Sequence, residues 1–119
     1  YVQYAHARIC SILRQWAGDE TSLKSASLLA LDSQASNMLL TRLSEYSEVL
    51  AEAAKDMTPH SLAFYLRDLA SDFHTFYNAD RVLVDEENIR LARLALLLAT
   101  KQVIGNGLAI LGVSAPEKM

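Results

Sequence analysis

Leu62, Leu66, Leu69, Phe73 and Phe76 recur at spacings of four, three, four and three. No other feature of the chain restricts its fold as much. That repeat places all five side chains on one side of a helix, whereas a strand would send them alternately to opposite faces. Asp68 and Asp72 fall away from this seam. Thr58-Pro59 predicts the start of the helix, with Thr as N-cap and Pro at the first helical position, where a missing N–H costs nothing. Asn78-Ala79-Asp80 supplies turn chemistry to end it. A helix with so continuous an apolar seam needs neighbours to cover it.

The remaining segments also read as helices. Over residues 1–17, Val2, Ala5, Ile9, Ile12, Leu13 and Trp16 form one stripe at about 100° per residue. Gly18 is expected to end that helix. Residues 23–57 predict two or three helices, with a break near Asp32-Ser33 and another near Tyr46-Ser47. Leu28, Leu29, Leu31, Met38, Leu39, Leu40, Leu43, Val49 and Leu50 are its expected core contributors. The last helix starts around Asp85 to Asn88, where acidic residues suit a positive helix N-terminus. From Ile89 to Ile104 it is apolar nearly all round and belongs in the middle of a bundle. Gly105 and Gly107 predict a bend before Leu108, and Gly112 and Pro116 close the helix. The predicted fold is all-α, a single bundle of about five to six helices occupying residues 1–119.

At 119 residues there is no room for a separate catalytic domain beside this bundle. Tyr1 opens directly into a helical pattern without an initiator Met, and a fragment of a longer chain is expected. Cys10 is the only cysteine, which excludes a disulfide framework and permits a reducing compartment. The longest uninterrupted apolar run, Leu94 to Ala99, is far short of the roughly 20 residues of a membrane span, so no membrane partner is expected. The formal net charge is −3, spread unevenly. Residues 58–88 carry two cations against six anions, and residues 89–119 carry four against one. Charge alone favours protein partners over nucleic acid.

Tyr1, Tyr4, Arg8, Ser11 and Gln15 form a second stripe on the first helix, about 120° from the apolar one. Phenols beside a guanidinium can stack bases and bond phosphates, or they can pack against a neighbouring helix or domain. Phe73, His74, Phe76, Tyr77 and Asn78 cluster at one helix end, with Tyr77 towards the edge of the seam. His6 and Cys10 share a helix side but lack a matching second pair of metal ligands, which leaves a structural histidine and a buried thiol; no metal site is expected. Asp80 to Glu87 lacks the glycine of a Ca²⁺ loop and is expected to be a solvated connection. There is no phosphate-cradling Gly-rich loop and no nucleophile elbow. No self-contained enzyme is visible in these residues.

Tyr1-Val2-Gln3-Tyr4-Ala5-His6-Ala7-Arg8 resembles the opening of the C-terminal anticodon-binding domain of arginyl-tRNA synthetases. The similarity continues in Leu66-Arg67-Asp68-Leu69-Ala70, in Phe73-His74-Thr75-Phe76-Tyr77-Asn78 and in Arg93-Leu94-Ala95-Leu96. It closes with Gly107 to Met119, ending where chains of that family end. The resemblance implies a helical bundle appended to a class I catalytic domain, which joins arginine to its tRNA using ATP with magnesium. The chain itself would bind the anticodon stem and loop, need no cofactor and catalyse nothing, in the cytoplasm. Its partners would be an arginine-specific tRNA and the upstream catalytic domain. Matching motif positions imply anticodon contacts at Tyr1, Tyr4, Arg8, Arg14, Tyr77 and Met119, although Arg14 projects about 120° away from Arg8. Lys118 stands where an Arg is common in the family, keeping the charge but not the bidentate geometry. The alternative is a protein-interaction or structural bundle with no RNA contact; exposure of the aromatic stripe separates the two.

Overall fold

A computed structural model describes residues 1–57 and 59–119. Its helices, in chain order, are α1 (Val2–Trp16), a 3₁₀ helix (Glu20–Ser25), α2 (Gln34–Ser44), α3 (Tyr46–Asp56), α4 (Pro59–Ala79) and α5 (Glu87–Ile110). No strand occurs among the described residues, and the all-α expectation is met by five α-helices and one 3₁₀ turn. Both predicted breaks fall where expected, at Ser33 before α2 and at Glu45 between α2 and α3. The proposed Thr58 cap lies outside the described residues; Pro59 does open α4.

The seam of α4 is the floor of the core: Leu62, Leu66, Leu69, Phe73 and Phe76 are all at most 1% exposed. Burying each contributes about 1.5–3 kcal/mol relative to leaving it in water. α5 crosses the centre, packing on α1, α2, α4 and the 3₁₀ helix, as its all-round apolarity requires. The expected bend at Gly105-Asn106-Gly107 is absent, and α5 continues unbroken to Ile110. Gly107 serves close approach instead, while a side chain at Gly105 would meet only ordinary contact. A Cβ at Gly107 would sit 2.8 Å from the Leu66 methyls, and one at Gly105 would lie 3.6 Å from His6 Nε2.

The helix ends depart from expectation in a similar way. The left-handed residue that terminates α1 is Ala17 (φ 59°), whose N–H bonds the Leu13 carbonyl at 3.1 Å. Gly18 is glycine because the Trp16 indole lies where its Cβ would be. Leu28, Leu29 and Met38 are exposed, against their assignment to the core. Residues 26–33 are not helical, and in the turn closed by Leu31 N–H to Leu28 O, Leu31 is buried and Ala30 half-buried against the core. Met38 lies on the outer side of α2, opening into the cleft beside Arg42. No residue of α3 is fully buried; it lies on α4 and α2 as an outer layer, with Leu50 and Val49 half covered.

Side-chain bonds tie α2 to α4. Arg42 Nε meets Asp72 Oδ2 at 2.8 Å, and the Tyr65 hydroxyl donates to the Arg42 carbonyl at 2.5 Å. The connection after α4 is less solvated than its charge suggests. Val82 is buried, Asp80 accepts a hydrogen bond from the Ser33 hydroxyl, and Arg90 and Arg93 donate to the carbonyls of Val84, Asp85 and Arg81. Among the described residues no helix is long and apolar enough to cross a membrane.

Candidate nucleic-acid interface

α1 has three working faces. Its apolar stripe, led by Ala5, Ile9, Ile12 and Leu13, is buried against α4 and α5. About 120° round, Tyr4, Arg8, Ser11 and Gln15 line an open groove of about 480 Å³. Its other walls are Tyr77 from the end of α4 and Glu117, Lys118 and Met119 from the segment after α5. Helical geometry explains the gathering. Residues four and seven apart on α1 project side by side, and the α4 seam brings Tyr77, next to buried Phe76, alongside them.

Arg8 is the centre of the groove. Its guanidinium carbon lies 4.9 Å from the Tyr4 ring centroid and 4.8 Å from that of Tyr77, and one Nη donates to the Tyr4 hydroxyl. That hydrogen bond, partly opposed by desolvation, raises the Arg8 pKa above its ordinary value. Among the described residues no carboxylate pairs with Arg8. The positive charge therefore faces two aromatic rings and open solvent, an arrangement suited to an incoming anion beside a flat ring.

Tyr1 lies outside the groove wall but joins it through His74. The His74 ring is 5.3 Å from Tyr1, 6.0 Å from Tyr4 in a stacked orientation, and 5.1 Å from Phe73. It forms the support on which the exposed Tyr1 and Tyr4 rings rest. Its Nε2 is buried with no hydrogen-bond partner, and burial, followed by the nearby Arg8 charge, lowers its pKa. The pattern of residues assigned His74 no such place. The available signal was its position three residues before Tyr77, next to Phe73.

The structure thus brings Tyr4, Arg8, Arg14, Tyr77 and Met119 around one groove, with Tyr1 adjoining through His74. Tyr1, Tyr4 and Met119 are exposed at 63%, 42% and 75%. Arg14 stands at the rim, where Nη1 donates to the Glu117 carbonyl at 3.2 Å. His6 and Cys10 are both buried; His6 Nδ1 contacts the Pro116 carbonyl at 2.9 Å and Cys10 Sγ at 3.7 Å. Burial pushes the Cys10 thiol pKa up, which disfavours the reactive thiolate. Among the described residues no three His, Cys, Asp or Glu side chains gather as a metal site.

The chain is similar to known proteins over its whole length. Residues 2–119 match the DALR anticodon binding domain. The whole chain is 66% identical to part of the arginine–tRNA ligase of Polynucleobacter necessarius and 59% identical to part of that of Burkholderia thailandensis. In each case it spans 21% of the relative's length. The structure superposes over its full length on 21% of the Thermus thermophilus arginyl-tRNA synthetase, with a TM-score of 0.88 and 40% identity.

Proposed function

The chain belongs to the DALR anticodon-binding family, and from that membership we propose that residues 1–119 form the module of an arginine–tRNA ligase that grips the anticodon stem and loop of its tRNA. The observation that carries the reading is the Arg8 guanidinium held between the Tyr4 and Tyr77 rings in an open groove. Unstacked loop bases lie on Tyr1, Tyr4 and Tyr77, Arg8 meets a phosphate or a base edge, and Met119 packs against an extruded base. Arg14 stands at the rim, where it holds the Glu117 carbonyl. Tyr1 and Tyr4 are exposed on this chain, as stacking against bases requires.

The full-length enzyme joins arginine to tRNA in the cytoplasm, using ATP with magnesium; that chemistry belongs to the catalytic domain in the part of the relatives this chain does not span. The chain's own share is binding, and the mild negative charge agrees with an affinity divided between the two parts. A steep salt dependence of the isolated module would contradict that division.

The test is Tyr77→Ala in the full-length enzyme. Each base–aromatic stack is worth roughly 1–3 kcal/mol, so KM for tRNA should rise about 5- to 150-fold with kcat much less affected. An unchanged KM in a folded variant overturns the reading that this groove holds the anticodon loop. A parallel titration with an anticodon stem-loop, altered only at the middle anticodon base, reports whether the groove reads that base.

A further inference from the structure

The third face of α1 holds the segment that follows α5. Gln3, His6, Cys10 and Arg14 lie within about 80° of one another around the helix, roughly opposite the Tyr4–Arg8 stripe. Three of these side chains reach backbone carbonyls of residues 114–117. Gln3 Nε2 donates to Ser114 O at 2.9 Å, His6 Nδ1 to Pro116 O at 2.9 Å and Arg14 Nη1 to Glu117 O at 3.2 Å. The order is parallel, with earlier residues of α1 holding earlier residues of the segment. After Gly112 (φ 75°) turns the chain out of α5, residues 114–119 form no regular structure, and Lys118 and Met119 then become a wall of the groove.

We propose that Gln3, His6 and Arg14 are positioning residues, a three-point clamp that fixes the 114–117 backbone and so sets Lys118 and Met119 against the Arg8 groove. The inference deepens the RNA-binding reading and rests on it. Because the contacts are to carbonyls, the clamp fixes where the segment runs whatever side chains it bears. It also accounts for Arg14 projecting about 120° from Arg8: Arg14 belongs to the clamp stripe and meets the groove only at its rim, beside the segment it holds. A neutral amide donor at position 14 can serve a carbonyl but cannot replace a cation on a phosphate.

The experiment uses the full-length enzyme with Arg14→Ala, Arg14→Gln, Met119→Ala and the Arg14→Ala/Met119→Ala pair. The first readout is cleavage of the Glu117–Lys118 bond by a glutamate-specific protease, followed by mass spectrometry; its carbonyl is the one Arg14 holds. The second is KM and kcat for tRNA. Arg14→Ala is expected to speed that cleavage and raise KM on the order of 2- to 10-fold, with Arg14→Gln restoring both. The pair should be no worse than the more damaging single variant. Additive losses in the pair, unchanged cleavage, or an Arg14→Gln variant as defective as Arg14→Ala would overturn the clamp and make Arg14 a direct RNA contact. Faster cleavage with unchanged KM would overturn its link to the groove. Failure of the RNA reading itself is seen separately, as an unchanged KM in Tyr77→Ala.

Discussion

Two polar clefts of the molecule are each built around an arginine, and they are wired in opposite ways. In the cleft between α2 and α4, about 570 Å³, Arg42 sits 2.8 Å from Asp72 and 3.6 Å from Glu45, with Asp32 also lining the space. In the smaller groove beside α1, Arg8 faces the rings of Tyr4 and Tyr77 and pairs with no carboxylate among the described residues. The Arg42 charge is spent within the fold, joining two helices. The Arg8 charge is steadied by rings that leave its electrostatic demand unmet. Volume is therefore a poor guide to function here; what matters is whether the cation already has its anion.

The largest expected effect removes what one of the clefts stands on. Phe73 is fully buried and its ring lies 6.0 Å from Tyr77 and 5.1 Å from His74, so it supports the Arg8 groove from beneath. Phe73→Ala should cost about 3–5 kcal/mol in denaturant unfolding of the chain, with tRNA binding lost alongside. A smaller effect is expected at the other cleft. Asp72→Ala leaves the half-covered Arg42 without its main partner and should lower stability on the order of 1–2 kcal/mol, while KM for tRNA stays unchanged. A gain in tRNA affinity would mean that a freed cation suffices without flanking rings, and the contrast between the clefts would collapse.

Wiring the groove like the cleft is a sharper comparison at lower cost. Ser11 lies one turn beyond Arg8 and lines the groove, so Ser11→Glu brings a carboxylate beside the guanidinium. Stability should hardly change, and tRNA affinity should fall about 2- to 5-fold, most clearly at low salt. Equal affinity would separate Arg8 from the phosphate path.

The smallest expected effect is a pH slope. The folded His74 pKa lies below its ordinary 6.5, first because of burial and then because of Arg8. Between the folded and unfolded values the unfolded chain binds the extra proton, so stability rises with pH there. The neutral ring's stability is fully present above about 6.5 and is lost as pH falls towards the folded value. Melting of the wild-type chain should fall more between pH 7.5 and 5.5 than that of His74→Gln. Parallel curves would place the acid sensitivity elsewhere.

Much of the architecture was legible because it depends on local periodicity. The α4 seam, the α1 stripe, the apolar α5 and the breaks at Ser33 and Glu45 need only the 3.6-residue repeat and turn chemistry. What failed to read correctly depended on neighbours. Leu28, Leu29 and Met38 look like core residues by composition, but burial is a relation to other elements, and residues 26–33 turn instead of packing as a helix. Gly18 and Gly107 read as helix breakers, yet the structure uses them as space for Trp16 and Leu66. A sequence shows that a Cβ is missing but not what fills the gap.

The candidate site divides along the same line. By itself the sequence determined that Tyr1, Tyr4 and Arg8 share one stripe of α1, because their spacing along one helix decides it, and the motifs flanking Tyr77 and Met119 tied those residues to the same family. Only the tertiary structure decided that Tyr77 closes over Arg8, that His74 supports two exposed rings, and that α1 carries residues 114–117 on a face of its own. Those contacts join positions up to 111 residues apart. Short-range spacing is blind to them, since they exist only once the apolar seams have packed and fixed how each helix is turned.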